Sequence, residues 1–230
     1  WLGRFSWENC VANPATGDRT VVVGTDDDGA GQLYVYVGTK NKTGATPVDL
    51  AGLTNGVLYG VKVTRDGVPV TDESNDYGLG DATSGYIAKG RFTLIEMGTD
   101  GNVAALSATQ LESDAIAKGL LRMRRIEDGA WDPRGGDDED WRHGWGQRQS
   151  RPENDFYFVT TSDITTNSRL WRLRFDDIDD LMDGGEIEIL VNGGDVSMLD
   201  NICVDGLGRV IMQEDPGNQD HLAKIWAYGI

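Results

Sequence analysis

Three observations predict an all-β fold of the β-propeller kind carrying one or two short helices. The first is a plan repeated three times: an apolar strand runs into acidic residues, a short Gly- or Asn-rich turn follows, and a second strand carries aromatics. The copies are Val21-Val22-Val23-Gly24-Thr25-Asp26-Asp27-Asp28 with 32–37, 156–163 with 169–175, and Val210-Ile211-Met212-Gln213-Glu214-Asp215 with 224–228. The second is the dominance of strand-like runs bounded by Gly, Asp and Asn. The third is a turn-rich composition, with 31 glycines among 230 residues. Recurrent hairpins whose strands end in carboxylates are what propeller blades look like when their inner strand ends converge on an axis. At roughly forty to fifty residues per blade the chain supplies about four or five blades, so the ring is expected to be partial.

In chain order, strands are expected near 20–24, 32–37, 57–63, 92–96, 156–160, 169–175, 186–190, 210–213 and 224–228. Gly-rich steps such as Asp205-Gly206-Leu207-Gly208 suit tight hairpins between them, so the sheet is mainly antiparallel. One helix is well signposted: Ser107 caps the segment from Ala108, Gln110 stands at capping-box spacing, and Gly119 closes it. A second short helix is expected at 178–182, with Asp176, Asp177, Asp179 and Asp180 near its start and Gly184 after its end. A loop insertion at 132–152, acidic and holding Trp141, His143 and Trp145, reads as a surface flap or as a lid near a site.

Charge and length exclude several classes. The formal net charge of −17 argues against nucleic acid as a partner, since phosphates would be repelled without a compensating basic face. Bound divalent cations, or a saline habitat, would account for part of that acidity. No apolar run reaches the roughly eighteen residues of a membrane-spanning helix. Cys10 and Cys203 could form one disulfide, but the apolar context of Cys203 favours a buried thiol. With only His143 and His221, histidine-rich zinc chemistry is not expected. No Gly-x-Ser-x-Gly elbow and no Walker-type loop is present.

Oxygen ligands cluster in four places: Glu8-Asn9; Asp26-Asp27-Asp28; Arg125-Ile126-Glu127-Asp128; and Asp200-Asn201 with Gln213-Glu214-Asp215. A hard cation such as calcium takes about six to eight oxygens, which converging strand ends can supply. The Asp26 run lacks the alternating ligands and terminal Glu of an EF-hand loop. Acidic residues at strand ends are also common as turn formers, and that reading competes at each cluster. Arg125 and Glu127 would share one face of a strand. A guanidinium binds phosphate oxygens in bidentate fashion and a neighbouring carboxylate can hold a metal, although an ordinary surface Arg–Glu pair has the same spacing.

These motifs resemble the PhoX-type alkaline phosphatases, secreted bacterial enzymes with a β-propeller fold. The resemblance rests on Gly3-Arg4-Phe5-Ser6-Trp7-Glu8-Asn9, Thr25-Asp26-Asp27-Asp28, Leu53-Thr54-Asn55-Gly56-Val57-Leu58-Tyr59, and Arg125-Ile126-Glu127-Asp128-Gly129-Ala130-Trp131. It continues through Asn154-Asp155-Phe156-Tyr157-Phe158-Val159-Thr160-Thr161, Arg169-Leu170-Trp171-Arg172-Leu173, and Asp200-Asn201 with Gln213-Glu214-Asp215-Pro216. The resemblance implies a metal-dependent phosphomonoesterase with calcium and iron on the propeller axis, acting on phosphate monoesters. By position it makes Glu8, Asn9, Glu127, Asp200, Asn201 and Glu214 metal ligands, Asp26 and Asp28 part of a peripheral calcium site, and Arg125 the phosphate-binding group. Arg125 and Glu127 are the implied catalytic pair. It further implies a secreted, periplasmic or cell-surface location.

Two departures accompany the resemblance. Trp7 stands where family members usually carry His. The chain also matches the C-terminal part of longer relatives, whose iron-ligating cysteine lies in the earlier region and is not replaced by Cys10. The single domain 1–230 is therefore expected to be a propeller or the C-terminal part of one, completed by a missing N-terminal segment or a partner chain. Two other functions stay open at this stage: a non-catalytic, calcium-stabilised extracellular propeller serving as a structural or binding module, and a lactonase-type propeller hydrolase with one axial calcium.

Overall fold

The computed structural model describes residues 1–73, 89–99, 103–134, 152–162, 168–217 and 221–230. Residues 135–151 of the expected 132–152 loop, with Trp141, His143 and Trp145, lie outside them. The strands are β1 (Trp7–Ala12), β2 (Arg19–Asp26), β3 (Leu33–Thr39), β4 (Val57–Arg65), β5 (Val68–Val70), β6 (Lys89–Glu96), β7 (Ile126–Trp131), β8 (Asp155–Thr160), β9 (Arg169–Phe175), β10 (Gly185–Asn192), β11 (Leu199–Val204), β12 (Arg209–Glu214) and β13 (Ile225–Gly229). All nine expected strands are among them, and every pairing is antiparallel.

Ten strands form one sheet in the order β1-β2-β3-β4-β6-β10-β9-β8-β7, with β5 beside β4; β11-β12-β13 form a second sheet. The two ends of the large sheet meet. Trp131 Nε1 on β7 donates to the Val11 carbonyl on β1 at 3.0 Å, and Asn9 on β1 donates its side-chain amide to Asp128 on β7. The result is a nearly closed, barrel-like sheet. Its hydrogen bonding does not divide the strands into separate blades, so it does not establish the blade count expected from sequence.

Alternation along the strands explains what fills and covers this sheet. Val21, Val23, Val35, Phe156 and Phe158 face an inner core with Phe92, Trp131, Trp171 and Phe175. Their neighbours Val22, Tyr34 and Tyr36 point outward beneath α2 (Ala108–Lys118), against Leu111 and Ala115. On the opposite side, Tyr157, Val159 and Leu170 pack against Leu199, Ile202, Val210 and Met212 of the second sheet. Strands covered on both faces read as continuous apolar runs, and burying each large side chain stabilises the fold by about 1.5–3 kcal/mol.

The α2 caps are those the sequence predicts. Ser107 Oγ accepts the Gln110 N–H at 3.2 Å, Gln110 Oε1 accepts the Ser107 N–H at 2.9 Å, and Gly119 ends the helix at φ 70°. A further helix, α1 (Pro47–Leu50), is capped by Thr46 and Asp49 and was not expected. The helix expected at 178–182 is instead a single 3₁₀ turn at Leu181–Asp183. Asp177 there accepts the Asp179 N–H, so the acidic residues form turns that compete with helix rather than starting one. Cys203 is exposed, not buried: on β11 Ile202 faces the core and Cys203 the opposite side, and both described cysteines are free thiols.

Candidate metal centre

The acid-bearing strands β1, β7 and β11 each open a hairpin, and they lie against one another, β1 beside β7 and β7 beside β11. Each hairpin begins in the same register: Trp7 opposite Asp26, Ile126 opposite Thr160, and Leu199 opposite Glu214. Each then has one extra residue on its first strand, a bulge falling at Glu8, at Glu127-Asp128 and at Asp200-Asn201. A bulge turns a side chain away from the alternation of its strand. The loop after each second strand is tied back alike. Asp27 N–H donates to Ser6 O at 2.9 Å, Thr161 N–H to Arg125 O at 3.0 Å, and Asp215 N–H to Met198 O at 2.8 Å. Thus Glu8, Glu127 and Asp200 occupy matching places in three copies of one hairpin, partnered in sequence by Asp27, Thr161 and Asp215.

Carboxylate oxygens of Glu8, Asp27 and Glu127 all lie within 4.8 Å of one another. Glu127 is 2% exposed. Its carboxyl is pushed up to about 7, first by burial and then by the charges of Asp27 and Asp200, against the Thr161 hydrogen bond and Arg125. The Thr161 hydroxyl stands 2.7 Å from both Glu127 Oε1 and the Leu199 carbonyl. One hydroxyl proton cannot serve two acceptors, and the chain of contacts closes when Glu127 carries a proton itself. Asp200 is also raised, by burial first and then by Asp215 and Glu8, with Arg125 opposing.

Arg125 sits just before β7 in the left-handed region, at φ 55°. That conformation costs a non-glycine residue on the order of 1–2 kcal/mol. Its backbone is held on both sides, its N–H by Asp28 O at 2.9 Å and its carbonyl by Thr161. Glu73, fully buried, accepts the preceding Arg124 N–H at 2.8 Å and pairs with Arg169 at 3.2 Å. So fixed, the guanidinium reaches Asp27 Oδ1 at 3.1 Å through Nε and Glu127 Oε1 at 2.8 Å through Nη2, while 37% of the side chain stays exposed. The pairing expected between Arg125 and Glu127 is present. It arises from the kink and the bulge, not from a shared strand face, and Glu127 is buried rather than superficial.

The other expected ligands are placed differently. Asp26 turns away from the cluster: its carboxylate accepts the N–H groups of Ser6 at 3.1 Å and Gln32 at 3.4 Å. Burial raises it to about 6. Asp28 and Asn201 are exposed. Asn9 ties β1 to β7 through Asp128, while its own oxygen accepts the Cys10 N–H at 2.6 Å. Glu214, 1% exposed, is enclosed by donors from Ser197, Lys224, Trp226 and His221 at 2.8–3.1 Å. Burial would raise its pKa, but those hydrogen bonds together lower it. By sequence, Asp27 and Asp128 fall within the acidic clusters but the individual ligand roles go to Asp26 and Asp28, whereas the structure brings Asp27 to the cluster; Thr161 and Glu73 are given no role.

Glu8 is exposed, Asp27 half-buried and Glu127 buried, so the cluster runs from solvent to the interior. Three carboxylates facing one guanidinium carry more negative charge than it neutralises, and the surplus is most costly at Glu127. A hard cation would relieve it. The oxygen-only donor set suits calcium, and among the described residues no histidine or cysteine joins it. Trp7 adjoins this cluster with its ring stacked on Phe5, centroids 4.0 Å apart, and lies over Gly24, where any Cβ would collide with the indole.

Fold and cluster together define an antiparallel β protein with a centre lined by carboxylates and an arginine. The chain belongs to the PhoX alkaline phosphatase family: the sequence model described as "Alkaline phosphatase PhoX" matches residues 1–228. No curated protein and no solved structure gives a match. No described helix is long and apolar enough to cross a membrane.

Proposed function

We propose that the protein is a metal-dependent phosphomonoesterase, with calcium held by Glu8, Asp27 and Glu127 and the phosphate of a monoester substrate bound by Arg125. The observation that carries this reading is the convergence of three carboxylates on a guanidinium whose backbone is bent to deliver it. Asp200 extends the acidic centre from the third hairpin. The family supports phosphate esters as substrates.

Within this reading Arg125 has two functions. Its Nε and Nη2 hold Asp27 and Glu127 in place, and its other terminal nitrogen is the group this reading assigns to a phosphoryl oxygen. Bound cations supply positive charge that offsets the charge developing on the phosphoryl group. Glu127 must lose its proton to serve as a ligand, so cation binding and deprotonation are coupled, and Thr161 then donates to the ionised carboxylate. The expected iron rests on the family resemblance; the described donor set calls for hard oxygen chemistry that calcium satisfies. The propeller reading belongs to the same proposal. It is supported by the four-stranded meanders β1-β2-β3-β4 and β7-β8-β9-β10 and the three-stranded β11-β12-β13, whose first strands carry the acids. Export, as in secreted relatives, completes it.

The experiment is elemental analysis of extensively dialysed protein by plasma mass spectrometry, paired with turnover of an aryl phosphate before and after chelation. Retained calcium with chelator-sensitive hydrolysis supports the proposal. Hydrolysis that survives complete metal removal overturns it.

A further inference from the structure

Three strands must hold Glu8, Glu127 and Asp200 at fixed separations, yet β1, β7 and β11 are first strands of different hairpins with no backbone pairing between them. Ladder hydrogen bonds fix each acid within its own hairpin, and between hairpins there are single ties: Arg125 N–H to Asp28 O at 2.9 Å, Trp131 Nε1 to Val11 O at 3.0 Å and Thr161 Oγ1 to Leu199 O at 2.7 Å. None of these joins all three acid-bearing strands at one group.

Asp128 is placed to do so. Its Oδ1 accepts the side-chain amide of Asn9 from β1 and the N–H of Gly129 at 2.7 Å, and its Oδ2 accepts the N–H of Ile202 from β11 at 3.0 Å. One carboxylate on the middle strand thus binds both flanking strands. Two of the contacts fall beside a proposed ligand, Asn9 following Glu8 and Asp128 following Glu127, and the third beside Asp200, which Ile202 follows by two residues. Two of the donors, the N–H groups of Gly129 and Ile202, close bulge segments, where ladder bonds are interrupted and a backbone N–H lacks its usual partner. Asp128 is not one of the three converging carboxylates, and these bonds occupy both of its oxygens.

We propose that Asp128 is a positioning residue that clamps the three acid-bearing strands together and so sets the geometry of the cation site. The inference rests on the metal-site reading above. Groups that orient ligands without touching the metal commonly change affinity by about 10–100-fold when replaced. Asp128→Asn keeps size and shape but loses one acceptor atom: its oxygen serves either Asn9 and Gly129 or Ile202, and its amide faces the N–H groups on the other side, donor against donor, so one flanking strand is released. Asn9→Asp alone sets two carboxylates face to face. The double swap Asn9→Asp/Asp128→Asn restores the links to both flanking strands, because the new amide donates to the new carboxylate while its oxygen still accepts from Ile202, and only the Gly129 N–H loses its acceptor.

The test is calorimetric titration of calcium into the chelated, full-length wild-type chain, both single variants and the double swap, with melting temperature measured in chelator. The expected result is that each single variant loses roughly tenfold or more in calcium affinity and the double swap recovers most of it. A purely structural role would instead change melting without that reciprocal recovery. Wild-type calcium affinity in Asp128→Asn, or a double swap as weak as the singles, would overturn the clamp while leaving the metal site standing. No calcium binding by the wild-type chain would remove both.

Discussion

Glu127 and Glu214 are both buried glutamates at matching hairpin mouths, and their surroundings treat them in opposite ways. Glu214 is enclosed by four donors, so burial is outweighed and its carboxyl is lowered. Glu127 has a shared hydroxyl and one arginine against the charges of Asp27 and Asp200, and its carboxyl is raised to about 7. A buried carboxylate that is fully solvated by the protein is structural, since a cation would have to strip away those donors. One that is left short of partners is prepared for a ligand that the protein does not supply.

The sharpest way to break this comparison is to neutralise the under-partnered side. Glu127→Gln and Arg125→Ala should each lower turnover of an aryl phosphate by about 10²–10³-fold, the scale of losing one electrostatic contact to a developing oxyanion. Circular dichroism should remain that of the wild type. Unchanged turnover in an active preparation would mean that the cluster is not the reaction centre.

The complementary change targets the saturated side. Glu214→Gln turns an acceptor into a group that donates on one side, leaving buried donors from Lys224, His221, Trp226 or Ser197 without partners. Stability in urea should fall by about 2–4 kcal/mol. Calcium affinity should move far less than in Glu127→Gln, and an equal loss of affinity in both would erase the distinction.

The comparison also has a pH signature. Glu127 at about 7 and Asp26 at about 6 lie above their unfolded values, so the folded state holds these protons more tightly than the unfolded chain does. In chelator, stability from these groups is full below about pH 4 and is lost as pH rises through 6 and 7. The Glu127 share is on the order of 3 kcal/mol at about 1.4 kcal/mol per pKa unit. Urea denaturation across pH 4–8 should show the decline, Glu127→Gln should flatten it, and saturating calcium should reverse it. A chelated wild type that gains stability from pH 5 to 8 would contradict the assignment.

What the sequence discloses follows the same division between outer and inner strands. Strands β2, β3, β8 and β9 are covered on both faces, so their apolar runs are plain in the chain. Strands β1, β7 and β11 are not: Trp7-Glu8-Asn9-Cys10, Ile126-Glu127-Asp128-Gly129 and Leu199-Asp200-Asn201-Ile202 mix acids, amides and apolar residues, and their bulges disrupt the period-two pattern. The acids were recognisable as candidates, but which ones converge was not. Val21-Val22-Val23 is buried on both sides, so parity along β2 could not tell Asp27 from Asp26. The bond from Asn9 to Asp128 spans 119 positions, and that from Arg124 to Glu73 spans 51, beyond the reach of any local pattern. Asp66-Gly67, by contrast, was a legible hairpin turn that went unused: both residues have positive φ and join β4 to β5.

The smallest effect separates acidity from ligation. Asp28 and Asn201 belong to the same acidic motifs as Asp27 and Asp200, and they are exposed. Unlike the exposed Glu8, neither lies among the converging carboxylates. Water already solvates their side chains, so removing them leaves no unmet charge, and the Coulomb effect of one exposed carboxylate is largely screened at physiological salt. Asp28→Asn and Asn201→Ala should therefore alter calcium affinity by less than about twofold in 0.15 M salt. Asp27→Asn, one residue from Asp28, should weaken it by about tenfold or more, because its oxygen lies among the converging three. If Asp28→Asn proved as damaging as Asp27→Asn, the site would draw on the whole acidic run and not on the carboxylates that the bulged strands bring together.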